Sequence, residues 1–162
     1  MNLLSIGLPI LLVAAAVAVL SGALQGTAPT DLGVQEGRLK PPSRAPNSVS
    51  SQAALYPEHP QLVYASIEPL PFKNAGAQAS MLALQAVLKD IPGVSLVQVQ
   101  DGYLQAQAQT RLMRYVDDVE FWANTEAGVV ELRSASRLGH SDLGANRARM
   151  ERVRSAYTAL PP

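Results

Sequence analysis

Apolar residues fill almost every position from 3 to 24, interrupted only by Ser5, Gly7, Pro9, Ser21 and Gly22 and by no charge. A helix of that length is about 33 Å long, enough to cross the hydrocarbon core of a bilayer. Two readings stay open. An uncleaved membrane anchor fits the length better. A signal peptide would end near Ser21-Gly22-Ala23, where small residues suit a cleavage site. A buried soluble helix fits worst, because apolar residues surround the whole helix and a domain this small has little core to hide it. The patterning then lapses. Residues 26–60 contain Pro29, Pro41, Pro42, Pro46, Pro57 and Pro60, which remove backbone donors and break periodicity, so this stretch reads as a linker or an irregular arm.

Pattern returns at residue 61. Residues 62–67 suggest a short strand ended by Pro69 and Pro71. Asn74 is placed to cap a helix over 75–91, whose stripe is Ala77, Met81, Leu84, Leu88 and Ile91 and which Pro92-Gly93 stops. The apolar period then changes to two. Four antiparallel strands are predicted at 94–99, 103–112, 115–123 and 129–137, with turns at Asp101-Gly102, Met113-Arg114 and 125–128. Ser141 or Asp142 caps a last helix running to about residue 159, with an inward stripe of Leu143, Asn146, Arg147, Met150, Val153, Tyr157 and Leu160.

The register is open to an internal check. Pairing Val99 with Leu104, Leu112 with Tyr115 and Phe121 with Leu132 puts the apolar residues of all four strands on one face. A slip of one residue would invert a strand, so this agreement supports the alignment. It sets Val97 against Ala106, Ala108 against Val119, and Val119 against Ser134. The opposite face, with Tyr103, Asp118, Glu120, Trp122, Glu131 and Arg133, is expected to meet solvent, with Glu120 and Arg133 an ordinary cross-strand pair. The expected fold is α+β: an N-terminal apolar helix (residues 1–25, anchor or signal), a Pro-rich linker or arm (26–60), then a two-layer domain (61–160) in strand–helix–four antiparallel strands–helix order. That order resembles a TATA-binding-protein or helix-grip layout by analogy alone.

Composition narrows the chemistry. The 13 Lys and Arg balance 13 Asp and Glu, so no overall charge excess points to nucleic acid or to an anionic membrane surface. The absence of cysteine removes disulfides, thiolate metal sites and a cysteine nucleophile. With His59 and His140 the only imidazoles, no metal site and no cofactor is expected.

One anomaly stands in the predicted apolar face. Thr110, Asp117 and Ser136 line up across three strands, Ser134 is adjacent, and Asn146 and Arg147 enter from the last helix. A buried carboxylate must be neutral, paired or hydrogen-bonded, and Arg147 is its expected partner. This row is either a structural network or a site for a small polar ligand near a helix amino end. No catalytic residue is assigned. Ser134, Ser136 and His140 lack the Gly-x-Ser-x-Gly elbow of a hydrolase. Arg149, Arg152 and Arg154 read as a solvated helix face.

Four of these segments together resemble the domain-of-unknown-function 1499 family: Pro46-Asn47-Ser48-Val49-Ser50-Ser51, Val116-Asp117-Asp118-Val119-Glu120-Phe121, Arg133-Ser134-Ala135-Ser136-Arg137-Leu138-Gly139, and Asp142-Leu143-Gly144-Ala145-Asn146-Arg147. The resemblance implies a mostly bacterial group, often exported or membrane-anchored, with no established activity. It also implies cysteines at the positions of Pro42 and Ser48, both absent here, so the arm is expected to be held by other means. The expected function is a non-enzymatic envelope module, membrane-anchored with its domain outside the cytoplasm or secreted to the periplasm. It would bind a small polar ligand or an envelope protein. The alternative is a hydrolase-like enzyme using the row around Asp117.

Overall fold

The alternating stretch from residue 94 to 136 folds as four consecutive antiparallel strands, because each buries one row of apolar side chains against helices that the 3.6-residue patterns supply. In the computed structural model, residues 21–161 are described together with Val13, Val17 and Val19. The expected apolar helix therefore lies largely outside the described residues. Among the described residues, no helix is long and apolar enough to cross a membrane. The elements are β1 (Ser48–Ser50), α1 (Leu62–Ala65), β2 (Leu70–Pro71), α2 (Gly76–Asp90), β3 (Val94–Gln100), β4 (Tyr103–Gln109), β5 (Val116–Asn124), β6 (Val129–Ser136) and α3 (Ala145–Ala159). They build an α+β fold on one antiparallel sheet of order β1-β6-β5-β4-β3, with β2 also pairing β6.

The strand expected at 62–67 is a helical turn. Ala65 N–H donates to Gln61 O (2.8 Å) and Ser66 N–H to Leu62 O (3.0 Å). The edge of β6 it would need is already taken by β1 and β2, which leaves Ser66 a single isolated bridge to Ser50. Within the arm, β1 pairs Val49 with Ser134, and all three of its residues are buried.

The β5–β6 register agrees with expectation, pairing Phe121 with Leu132, Val119 with Ser134 and Asp117 with Ser136. The β4–β5 register is shifted by two residues from the expected one: Ala108 faces Asp117 and Ala106 faces Val119. An even shift keeps every side chain on its face. Its cause is a wider connection over 110–115, closed by Thr110 N–H to Tyr115 O (2.9 Å) and Tyr115 N–H to Thr110 Oγ1 (3.0 Å). In β3 a bulge between Leu96 and Gln98 sets Leu96, not Val97, against Ala106 and leaves Val97 exposed.

Met81, Leu84, Val87 and Leu88 of α2 and Met150, Val153 and Tyr157 of α3 pack on Leu104, Val119, Phe121, Val130 and Leu132 of the sheet. Asn74 is exposed and does not cap α2; Ala75 stands at its N-cap without a side-chain bond. Asp142 does serve the amino end of α3, accepting from Gly144 N–H (3.0 Å) and Asn146 N–H (2.9 Å). Leu143, expected in the inward stripe, is exposed. Most of the face expected to meet solvent does not: Tyr103, Asp118, Glu120, Glu131 and Arg133 are buried, and only Trp122 of those named is half-buried. The arm lies over them, with Gly33 N–H donating to Glu120 Oε1 (2.8 Å) and Arg133 Nε to Pro41 O (3.4 Å). The arm's own fold is pinned by Gln52 Oε1 accepting from Leu39 N–H (2.7 Å) and Ser48 Oγ accepting from Ser43 N–H (2.7 Å).

Candidate functional site

The polar residues singled out in the core face come together around Asn146, in the first turn of α3 and fully buried. Its Nδ2 donates to Ser136 Oγ (3.0 Å) and to Asn47 O (3.0 Å). Its Oδ1 accepts from Ser134 Oγ (2.5 Å) and from Arg149 Nη1 (2.9 Å). Arg149 continues the row, donating to Ser134 Oγ (3.1 Å) and, through Nη2, to Asp117 Oδ2 (2.5 Å). Asp117 is only 5% exposed, so this pair is nearly shielded from water. Asp117, Ser134, Ser136 and Asn146 thus form one connected network.

Two expected members stand elsewhere. Arg147 is not the partner of Asp117; its Nη2 donates to the carbonyls of Tyr64 (2.6 Å) and Ser66 (2.7 Å), fastening α3 to the end of α1. A helix advances about 100° per residue, so Asn146 and Arg149 share a face and Arg147 is turned away. Thr110 is exposed in the β4–β5 connection rather than aligned with Asp117, a consequence of the two-residue register shift. Sequence reasoning missed Arg149, Asn47 and Tyr64. The i, i+3 spacing of Arg149 from Asn146 was the available signal for the first. The others come from the irregular arm and α1, where no periodicity points inward.

A cleft of about 470 Å³ opens against this network. Asp117 and Ser136 lie on its floor, and Leu24, Tyr115, Leu138 and Leu143 are among its walls. Thr110 and Asp142 border it as well. Asp142 is held below the usual carboxylate range: burial opposes its charge, but the Tyr64 hydroxyl and the N–H groups of Asn146 and Gly144 outweigh it. Tyr64 is pushed up by burial and by the Asp142 charge. Close by, Asn47 Nδ2 donates to Gly139 O (2.6 Å), and Gly139 lines the cleft. Asn47 Oδ1 is buried and has no partner among the described residues.

A second polar layer lies under the arm. Glu120 Oε1 accepts from Tyr103 Oη (2.9 Å), and its Oε2 from Arg133 Nη1 (3.2 Å). Arg137 forks onto Asp118 at 2.8 and 2.7 Å, which raises its already high pKa. The Tyr103 hydroxyl is pushed well above its usual range by burial and by Glu120.

Chemically, the network is occupied with itself. The Ser134 hydroxyl is donated to an amide oxygen, which is no base, and the carboxylate of Asp117 is held by an arginine. His140 is exposed on the β6–α3 loop, away from either serine's hydrogen bonds. No group of three or more His, Asp or Glu able to hold a metal occurs among the described residues. The arrangement is a hydrogen-bonded polar network against a partly apolar cleft.

A family model described as protein of unknown function (DUF1499) matches residues 38–157, a span that takes in the arm strand β1, the network, α2 and most of α3. No curated protein and no solved structure matches the chain.

Proposed function

The chain belongs to the DUF1499 family, and we propose that it is a non-enzymatic module of the cell envelope whose cleft at the amino end of α3 binds a small ligand with a polar end. The address rests on the uncharged apolar run at residues 3–24, read as an anchor or an export signal that leaves the domain outside the cytoplasm. A helix-grip-like layout belongs to the same reading, with the sheet holding α2 and α3 on one face and the cleft at one end of that layer.

The observation that carries the binding reading is the cleft itself. Its polar lining residues Asp117 and Ser136 are already held by hydrogen bonds, so ordering them costs a ligand little. Its walls offer apolar area, and Asp117, Ser136 and Ser141 are polar residues along its lining. Binding is favoured over hydrolysis because a catalytic base must be free to take a proton, whereas Asp117 is engaged by Arg149.

The test is a thermal-shift screen of the full chain in detergent against small metabolites and amphiphiles. Ala145→Trp serves as the control, because Ala145 is exposed and lines the cleft. A stabilising ligand whose effect disappears in Ala145→Trp, at unchanged midpoint of the free protein, supports the reading. Stabilisation that survives the filled cleft sinks it. Turnover of any screened ester or amide, lost in Asp117→Asn, would favour the hydrolase alternative instead.

A further inference from the structure

We propose that the rim of the cleft, formed by the β4–β5 connection at 110–115 and the β6–α3 loop at 137–144, docks on the surface of an anionic lipid bilayer, so that the cleft opens toward the membrane. This rests on the membrane-held reading above.

Three observations converge on that rim. The first is a cluster of exposed apolar side chains on two adjoining loops at one end of the sheet, whereas Val63, Leu82, Val97 and Val99 are exposed elsewhere. Leu143 is 95% exposed and Leu112 81%, and Met113, Tyr115 and Leu138 are exposed beside them. Thr110, Tyr115, Leu138 and Leu143 line one cleft, so the two loops adjoin. The turn at the opposite end of β5, residues 125–128, carries Thr125, Glu126, Ala127 and Gly128 and no large apolar side chain. Leu143 also holds a left-handed backbone (φ 52°), an unfavourable state for leucine. Scattered exposed leucines need no explanation, but several gathered on adjoining loops mark an interaction surface.

The second is charge. Arg111 and Arg114 flank Leu112 and Met113, are exposed, and make no ion pair among the described residues. The two carboxylates at the cleft are both engaged, Asp117 by Arg149 and Asp142 by Tyr64 and backbone N–H groups. Apolar tips between unpaired arginines suit an interface in which leucine enters the acyl boundary and guanidinium meets phosphate.

The third is where the apolar run joins the domain. Leu24 lines the same cleft, and Gly26 packs so closely that a Cβ there would lie 2.8 Å from Arg137 Cβ and 2.9 Å from Leu138 Cγ. Residues 21–26 therefore deliver the run to this end of the molecule. A bilayer holding that run lies next to the rim, and no long tether intervenes.

The chain has no cysteine, so single-cysteine labelling is direct. Full-chain Leu112→Cys, Leu143→Cys and Ala127→Cys, each carrying an environment-sensitive fluorophore, would be reconstituted into vesicles of phosphatidylethanolamine and phosphatidylglycerol with lipid-borne quenchers. Flotation reads the anchor separately. The expected result is quenching at positions 112 and 143 several-fold greater than at 127, reduced when the phosphatidylglycerol is replaced by phosphatidylcholine. Protein that floats but is quenched equally at all three sites overturns the docked rim and leaves the anchor standing. Protein that fails to float overturns the anchor, and the rim with it. A blue-shifted probe at 143 that lipid quenchers do not reach would place the chain's own apolar run over the rim, which also overturns the proposal.

Discussion

Asp117 and Arg149 carry opposite charges 2.5 Å apart, with side chains only 7% and 13% exposed. At such a site the attraction and the desolvation cost are both large, and their difference is small. Removing one partner, however, leaves the other buried and unmatched. Asp117→Ala and Arg149→Ala should each cost about 3–5 kcal/mol, and the double mutant should cost less than their sum. Chemical denaturation of the three variants measures this; additive losses would mean the pair is not coupled. Arg147→Ala is a contrasting case. It removes two charge-assisted bonds to carbonyls without stranding a carboxylate, so about 1.5–3 kcal/mol is expected, additive with Asp117→Ala. Asp142 supplies a pH-dependent term. Its folded pKa lies below the unfolded one, so the unfolded chain binds more protons in that interval and stability rises with pH through it. The contribution is complete above the unfolded value of about 4 and is lost as pH falls through the folded value. Asp142→Asn should therefore flatten the acid limb of a stability–pH curve below about pH 4; an unchanged limb would show that Asp142 is not perturbed by Tyr64 and the helix end.

Elements defined by their own periodicity were readable in the chain, and elements defined by their neighbours were not. Alternation gave the faces of β5 and β6, because Val119, Phe121, Val130 and Leu132 admit one parity, and the short turn at 125–128 gave their register. The 62–67 segment has the composition of a strand but no sheet edge left to join. The bulge at Val97 and the width of the 110–115 connection depend on local bonds that alternation does not encode. In the site, the polar residues on β5, β6 and α3 were found, but the arginine was assigned two residue positions too early, at 147 instead of 149. The largest miss was the arm. Its prolines hid the fact that an irregular segment can still bury a sheet face, its backbone N–H donating to a carboxylate and its carbonyl accepting from an arginine. That changes the expected energetics of Glu120 and Arg133, which are 0% and 4% exposed. An exposed pair would tolerate exchange of its charges within about 0.2–1 kcal/mol. Here the exchange Glu120→Arg with Arg133→Glu turns a cation toward Tyr103 Oη and Gly33 N–H, two donors that now bond a carboxylate. A loss of at least about 3 kcal/mol is expected, read from the denaturation midpoint. Near-native stability would mean that the arm does not cover this face in solution.

Taken as a whole, the domain is a sheet with helices on one side and a proline-rich arm on the other, and the arm's lead-in at Gly26 is itself docked, on Arg137 and Leu138. This matters for how the molecule would sit on a membrane. A flexible tether would let the domain diffuse away from its anchor and would expose many bonds to proteases. An arm docked at Gly26, tied at Gly33 to Glu120 and buried again at Leu39 holds its exposed residues 34–38 between fixed points and offers fewer. If residues 3–24 form an uncleaved anchor, the full chain should pellet with membranes and resist carbonate extraction. In intact spheroplasts of an expressing bacterium, added protease should reach the domain yet release little soluble fragment at first. Unfolding the domain with urea should then speed release sharply, because cleavage requires a locally opened chain. Rapid release of a soluble domain without urea would show that the arm is a tether. A full-length chain found free in the cytosolic fraction would overturn the membrane-held reading altogether.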